Sequence, residues 1–184
     1  MVDLLTVGHG TLSAGELAEL LRGAAVELVV DVRSAPGSRR NPQLARAEME
    51  RWLPAGGVDY RWEPALGGRR KARASSRHVV WRHPSFRAYA DHLETAQARS
   101  ALGCVLTDAA ARRTAVMCSE TLWWRCHRRL VADAAQLLEG ATVVHLGHDG
   151  RLYPHRPTEG VRVEEGLLLY DAGQARLPGD PGAP

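Results

Sequence analysis

Eleven residues of the chain, Cys118-Ser119-Glu120-Thr121-Leu122-Trp123-Trp124-Arg125-Cys126-His127-Arg128, bring together two thiols, a carboxylate, two indoles, an imidazole and two guanidinium groups. The apolar run Thr114-Ala115-Val116-Met117-Cys118 has strand length, and the pattern from Leu122 to Leu138 predicts a helix closed by Gly140. Cys118 to Glu120 then stand beside a helix amino terminus, whose partial positive charge lowers a thiol pKa and favours bound anions. The expected roles are Cys118 as nucleophile or ligand and Glu120 as acid/base. On that helix Trp123 and His127 share one face and Trp124 and Arg128 another, as stacking and anchoring groups for a substrate. Leu122, Cys126, Leu130 and Leu137 trace the core side, which makes Cys126 structural. The spacing of Cys118 to Cys126-His127 lacks the paired CxxC of a zinc site, so no metal site is read from it. A mononuclear site from Cys118, Glu120, His127 and His9 stands as an alternative.

Two more strand ends carry polar residues. Leu4-Leu5-Thr6-Val7 runs into Gly8-His9-Gly10, a buried strand stopped by a tight loop that delivers His9. Val26 to Val32 predicts a second strand, ending in Asp31 and Arg33. This pair either joins the chemistry, as acid/base and anion clamp, or forms a structural ion pair. His78, His83, His92, His145 and His148 show no ligand-like mutual spacing and read as surface or core residues.

The remaining elements follow from capping and period. Ser13 with Glu16 forms a capping box ahead of a helix ending near Gly23. A helix from about Gln43 to Leu53 and a short strand from Val58 to Trp62 come next, then a loop Leu66 to Arg73. One long helical stretch is expected from Pro84 to about Ala111, with Gly103 as its breaking point and Cys104 on its buried face; Thr142 to Leu146 is the last central strand. Strands alternating with helices imply right-handed parallel crossovers. The fold class is therefore α/β: a three-layer, mostly parallel sheet with helices on both faces, in a Rossmann-like or flavodoxin-like arrangement. Residues 1–176 are expected to form one domain and 177–184 a disordered tail.

Charge is distributed unevenly. Between Arg33 and Arg82 stand twelve basic and four acidic residues, against twelve basic and seventeen acidic elsewhere, within a net charge of +3. Arg39, Arg40, Arg69, Arg70 and Lys71 lie in this third and suit an anionic partner, either nucleic acid or an anionic small molecule. Lys71 is the only lysine among 24 basic residues, so the arginine bias equally suits GC-rich coding. Three cysteines do not make a disulfide framework in a chain of 184 residues, and no run of eighteen apolar residues exists. A cytoplasmic protein with reduced thiols and no membrane partner is expected. The residues specify no cofactor.

Taken in order, Thr6-Val7-Gly8-His9-Gly10, Asp31-Val32-Arg33-Ser34-Ala35-Pro36-Gly37-Ser38-Arg39 with Asn41-Pro42, Tyr60 followed by Leu66-Gly67-Gly68, and Val116-Met117-Cys118-Ser119-Glu120 with Cys126-His127-Arg128 resemble the domain-of-unknown-function 488 family. The resemblance runs from about residue 4 to about residue 148. It implies a compact α/β fold with a shared pocket at His9, Asp31, Arg33, Ser38, Arg39, Gly67, Gly68, Cys118, Glu120, Cys126, His127 and Arg128, and it implies no activity. The family's glycine-histidine motif continues with serine, where this chain has Gly10. The expected function is an enzyme acting on nucleic acid, in processing or repair of a modified or damaged base. Alternatives are a thiol- or metal-dependent transferase or hydrolase of an anionic small molecule, and a non-catalytic nucleic-acid-binding module.

Overall fold

The computed structural model describes residues 2–37, 41–71 and 73–173. Its centre is β1 (Asp3–Gly8), hydrogen-bonded in parallel to β4 (Thr114–Cys118) on one side and β5 (Thr142–Leu146) on the other. With β2 (Leu28–Asp31), β3 (Asp59–Trp62) and the antiparallel edge strand β6 (Leu152–Pro154), the sheet order is β3-β2-β4-β1-β5-β6. Strand alternation sorts the core into two layers. Leu5, Val7, Val29 and Met117 pack with α1 (Ala14–Gly23) and α2 (Arg46–Ala55). Leu4, Val30, Val116 and Cys118 pack on the other face with α3 (Pro84–Leu93), α4 (Ala96–Ala111) and α5 (Arg128–Leu137). The protein is thus a three-layer, mostly parallel α/β fold of Rossmann-like arrangement.

This topology creates the site. The chain leaves β1 for α1 on one face, and leaves the adjacent β4 for α5 on the other. Parallel neighbours whose connections diverge in this way leave a crevice at their carboxyl ends. His9 and Cys118 are the residues at its floor, joined by the bond from His9 N–H to Cys118 O at 3.0 Å.

Several expected elements form where their residues placed them, including the Ser13–Glu16 capping box of α1 and the strands β4 and β5. Two helices differ. The stretch from Pro84 breaks at Thr95 rather than Gly103, because the Thr95 hydroxyl accepts from Ala98 N–H and donates to His92 O, ending one helix and capping the next. Gly103 stays inside α4, and Cys104 is exposed, not buried. The helix expected from Leu122 starts only at Arg128, after a single 3₁₀ turn at Trp123–Arg125 and an extended Cys126. Trp123 and His127 consequently share no helix face, and neither do Trp124 and Arg128.

Beyond β5 the sequence reading assigned no strand. The structure has β6 and a hairpin of β7 (Val161–Glu164) and β8 (Leu167–Tyr170), joined through Glu165 and Gly166, both with positive φ as a type I′ turn needs. Leu168 and Tyr170 enter the core beside α3 and α5. Among the described residues, no helix is long and apolar enough to cross a membrane. The call of a disordered tail at 177–184 lies outside the described residues.

Glycines separate tight from open positions. A Cβ on Gly8 would stand 1.9 Å from Glu120 O and 2.6 Å from Arg128 Nη2, whereas one on Gly103 meets nothing within 4 Å. Gly8→Ala should therefore lower stability in urea unfolding by about 3 kcal/mol. Gly103→Ala should raise it by about 0.5–1 kcal/mol, since an exposed helix interior favours alanine.

Candidate active site

At the carboxyl ends of β1 and β4 lies a cleft of about 630 Å³, a volume suited to a small molecule. His9, Arg33, Cys118 and Glu120, which the sequence offered from three separate strand ends, all line it. Cys126 and His127 line it too, because the extended backbone at Cys126 folds the segment back over the strand end.

The floor is a cluster of two sulfurs and one imidazole. His127 Nδ1 lies 3.9 Å from Cys118 Sγ and 3.5 Å from Cys126 Sγ. All three ligand-type atoms fall within 4.8 Å of one another. A hydrogen bond from Cys118, with Arg128 adding its charge and its backbone N–H, lowers the Cys126 thiol to about 6, while the same bond and burial push Cys118 up to about 12. The helix-terminus effect expected at Cys118 is thus felt at Cys126, the residue immediately before the amino-terminal cap of α5. Cys126, buried in the core as expected, also lines the cleft. The His127 ring is fixed from two sides: a Cβ on Gly68 would sit 2.5 Å from Nδ1, and Tyr89 meets it edge-on at 4.9 Å between centroids.

Asp31 and Arg33 form a closed structural unit. Arg33 Nε and Nη2 bind the Asp31 carboxylate at 2.6–3.0 Å, Nη1 donates to Leu44 O, and Nη2 also approaches Met49 Sδ. Tyr60 O–H donates to Asp31 Oδ2 at 2.6 Å. Asp31 is fully buried, its oxygens accept from Arg33 and Tyr60, and it is not among the residues that line the cleft. Arg33 Nη1 is also 3.2 Å from His9 Nε2, so this nitrogen accepts and Nδ1–H donates to Gly10 O. Burial and then the Arg33 charge lower the His9 pKa to about 4, which keeps the ring neutral.

The expected anion-binding residues divide. Arg39 and Arg40 lie outside the described residues. Arg69 is exposed and lines the cleft, and Arg125, to which the sequence assigned no role, joins it there. Arg70 is spent on the carbonyls of Pro64, Ala65 and Gly67, holding its own loop. Lys71 is exposed and does not line the cleft. Trp124, 48% exposed, stands between this cleft and a second one of about 570 Å³ that Trp123 lines. Much of the basic third is neutralised internally: Arg46, Arg51, Arg61, Arg73 and Arg77 pair with carboxylates.

Arg128 is 1% exposed and lines the second cleft rather than the first. Its Nη2 donates to the carbonyls of Glu120 and Thr121, and its Nη1 to Thr6 Oγ1 at 3.3 Å. From there a one-way chain of hydrogen bonds runs through the core. Thr6 O–H donates to His145 Nδ1 at 2.7 Å, His145 Nε2–H to His155 Nδ1 at 3.0 Å, and His155 Nε2–H to Asp133 Oδ1 at 2.9 Å. Thr158 and Tyr170 complete the Asp133 carboxylate. Trp123 stacks on His145 at 4.0 Å and 6°, which removes it from the first cleft. Burial, followed by His155 and Arg128, lowers the His145 pKa to about 3. Its only sequence signal was a histidine inside an otherwise apolar strand.

A family model described as "Domain of unknown function DUF488" matches residues 13–135, and the chain belongs to this family. The matched span takes in Asp31, Arg33, Gly68, the Cys118–Arg128 segment and Asp133; His9, His145 and His155 fall outside it. No curated protein and no solved structure matches the chain. At Gly10, where the family motif continues with serine, φ is +52° and a Cβ would lie 2.1 Å from Thr121 Oγ1, so this chain has no room for a side chain there.

The two depressed histidines fix the direction of a pH effect. The unfolded chain takes up protons below about 6.5 that folded His9 and His145 refuse until about 4 and 3. Stability is then fully present above 6.5 and is lost as pH falls through that window. Urea midpoints measured from pH 7 to pH 4 should fall, and His145→Gln should flatten the slope. A midpoint that rises on acidification contradicts neutral, buried imidazoles.

Proposed function

We propose that this protein is an enzyme that takes a small anionic molecule, of up to nucleotide size, into the cleft at the ends of β1 and β4. The Cys118–Cys126–His127 cluster is the reacting centre, Glu120 the acid/base, and Arg69 and Arg125 hold the anion. The convergence of two sulfurs and an imidazole on the cleft floor carries this reading, because three such groups from two ends of a loop meet only where the backbone is folded to bring them together. Glu120 lines the same cleft with Oε1 accepting from Leu122 N–H, which orients the carboxylate. The reaction class is transfer or hydrolysis.

Processing of a base within a nucleic acid is the second reading. Trp124 supports it, as an exposed indole at the cleft edge can stack an unpaired base. The consumption of so many arginines in internal ion pairs favours the small molecule, since an extended strand needs a track of free cations.

Tryptophan fluorescence titrated with inorganic phosphate, mononucleotides and a short oligonucleotide distinguishes the two. Mononucleotide binding should shift the Trp124 signal, and Arg69→Ala or Arg125→Ala should weaken it about 10-fold each, or about 1.4 kcal/mol. An oligonucleotide bound far more tightly, with steep salt dependence, favours the second reading. Absence of binding by every anion overturns both.

A further inference from the structure

We infer that Cys118, Cys126 and His127 form a mononuclear zinc site whose fourth position opens into the cleft. A tetrahedral zinc with Zn–S near 2.3 Å and Zn–N of about 2.0–2.1 Å has S···N edges of about 3.6 Å and an S···S edge of about 3.8 Å. The observed S···N separations, 3.5 and 3.9 Å, match those edges to within a few tenths of an ångström, and the third edge closes within 4.8 Å. Two thiols and an imidazole with no carboxylate among them are a soft donor set, which selects zinc over magnesium or calcium.

The orientation of the His127 imidazole suits a metal on Nδ1. Nδ1 faces both sulfurs, while Nε2 is buried without a partner among the described residues. Zinc on Nδ1 fixes the proton at Nε2. The ring is already held in that orientation by Gly68 and Tyr89, so binding needs little rearrangement.

Three protein ligands are the count of a catalytic zinc, where water or substrate fills the fourth position; a structural zinc takes four. Here the cleft lies on that side, with Glu120 in its wall. A zinc-bound water gives up a proton to the Glu120 carboxylate, and the resulting hydroxide attacks an electrophilic carbon or phosphorus of the bound anion. The bond to the leaving group breaks, and Glu120 returns the proton to it. The reaction is hydrolysis, without net oxidation or reduction. This catalytic use rests on the cleft being the substrate site; binding of the ion does not.

The test uses the full chain, reduced and stripped with a chelator, titrated with Zn²⁺ against a chromophoric competitor and separately with Co²⁺. One equivalent should bind. Co²⁺ should give intense tetrahedral d–d bands with sulfur-to-cobalt charge transfer. Cys118→Ser and Cys126→Ser should each weaken Zn²⁺ by about 100-fold or more, while the exposed Cys104→Ser leaves it unchanged. Should a cysteine variant not fold, mass spectrometry of the natural chain decides: Zn²⁺ should protect Cys118 and Cys126, but not Cys104, from alkylation. Absence of stoichiometric binding, or protection that spares Cys118 and Cys126, overturns the site. Zinc bound without any anion binding keeps the site and rejects the proposed enzyme; anion binding without zinc does the reverse.

Discussion

The arrangement depends on one buried cation. Arg128 has no carboxylate within ion-pair distance among the described residues, yet is almost wholly out of water. Leaving a guanidinium uncompensated in the interior costs several kcal/mol. The compensation is spread along a line: two carbonyls of the Glu120–Thr121 turn accept from one side, and Thr6, His145 and His155 lead from the other to the Asp133 carboxylate. Every donor in that line points the same way, so the chain of dipoles joins positive charge to negative charge. Asp133 and Arg128 both belong to α5, and Thr6 and His145 to neighbouring strands, so the network fastens the helix to the sheet.

The cleft follows from this attachment. Arg128 grips the Glu120 and Thr121 carbonyls and holds the segment after β4 as a loop across the end of β1. Gly8 has no Cβ to obstruct the Glu120 carbonyl, which allows the close approach. The loop returns at Cys126 in extended backbone and sets its sulfur beside Cys118 at the first turn of α5. On the other side of the crevice, Asp31 locks Arg33, and Arg33 holds His9 neutral through its Nε2. The site is thus bounded by two arginines that are parts of the scaffold, whereas Arg69 and Arg125 remain exposed at the cleft for a ligand.

Much of the fold is legible in the sequence because its signals are local. The apolar runs at Leu4–Val7, Thr114–Cys118 and Thr142–Leu146, and the Ser13–Glu16 box, each specify an element without help from distant residues. Knowing that ligands collect where parallel strands diverge was enough to place His9, Arg33, Cys118 and Glu120 in one cleft. What stayed hidden was non-local. The period from Leu122 to Leu138 is helical, but its first six residues form a loop whose entry is held by Arg128 on the Glu120 and Thr121 carbonyls and whose Trp123 stacks on His145. With that helix gone, Cys126 reaches the cleft while keeping its place in the core, and Trp123 stacks on His145 instead of lining the first cleft. A CxxC rule reads ligands along the chain, so it misses a pair eight residues apart that a loop folds together. The His145–His155–Asp133 line joins a strand, the loop after β6 and a helix, and no spacing in sequence announces it.

The central claim, that the returning loop makes Cys118, Cys126 and His127 one metal-binding centre, is tested most directly by X-ray absorption at the zinc edge of the zinc-loaded protein. A shell of two sulfurs at about 2.3 Å with nitrogen or oxygen at about 2.0–2.1 Å is the result expected. A shell of nitrogen and oxygen alone would contradict the account.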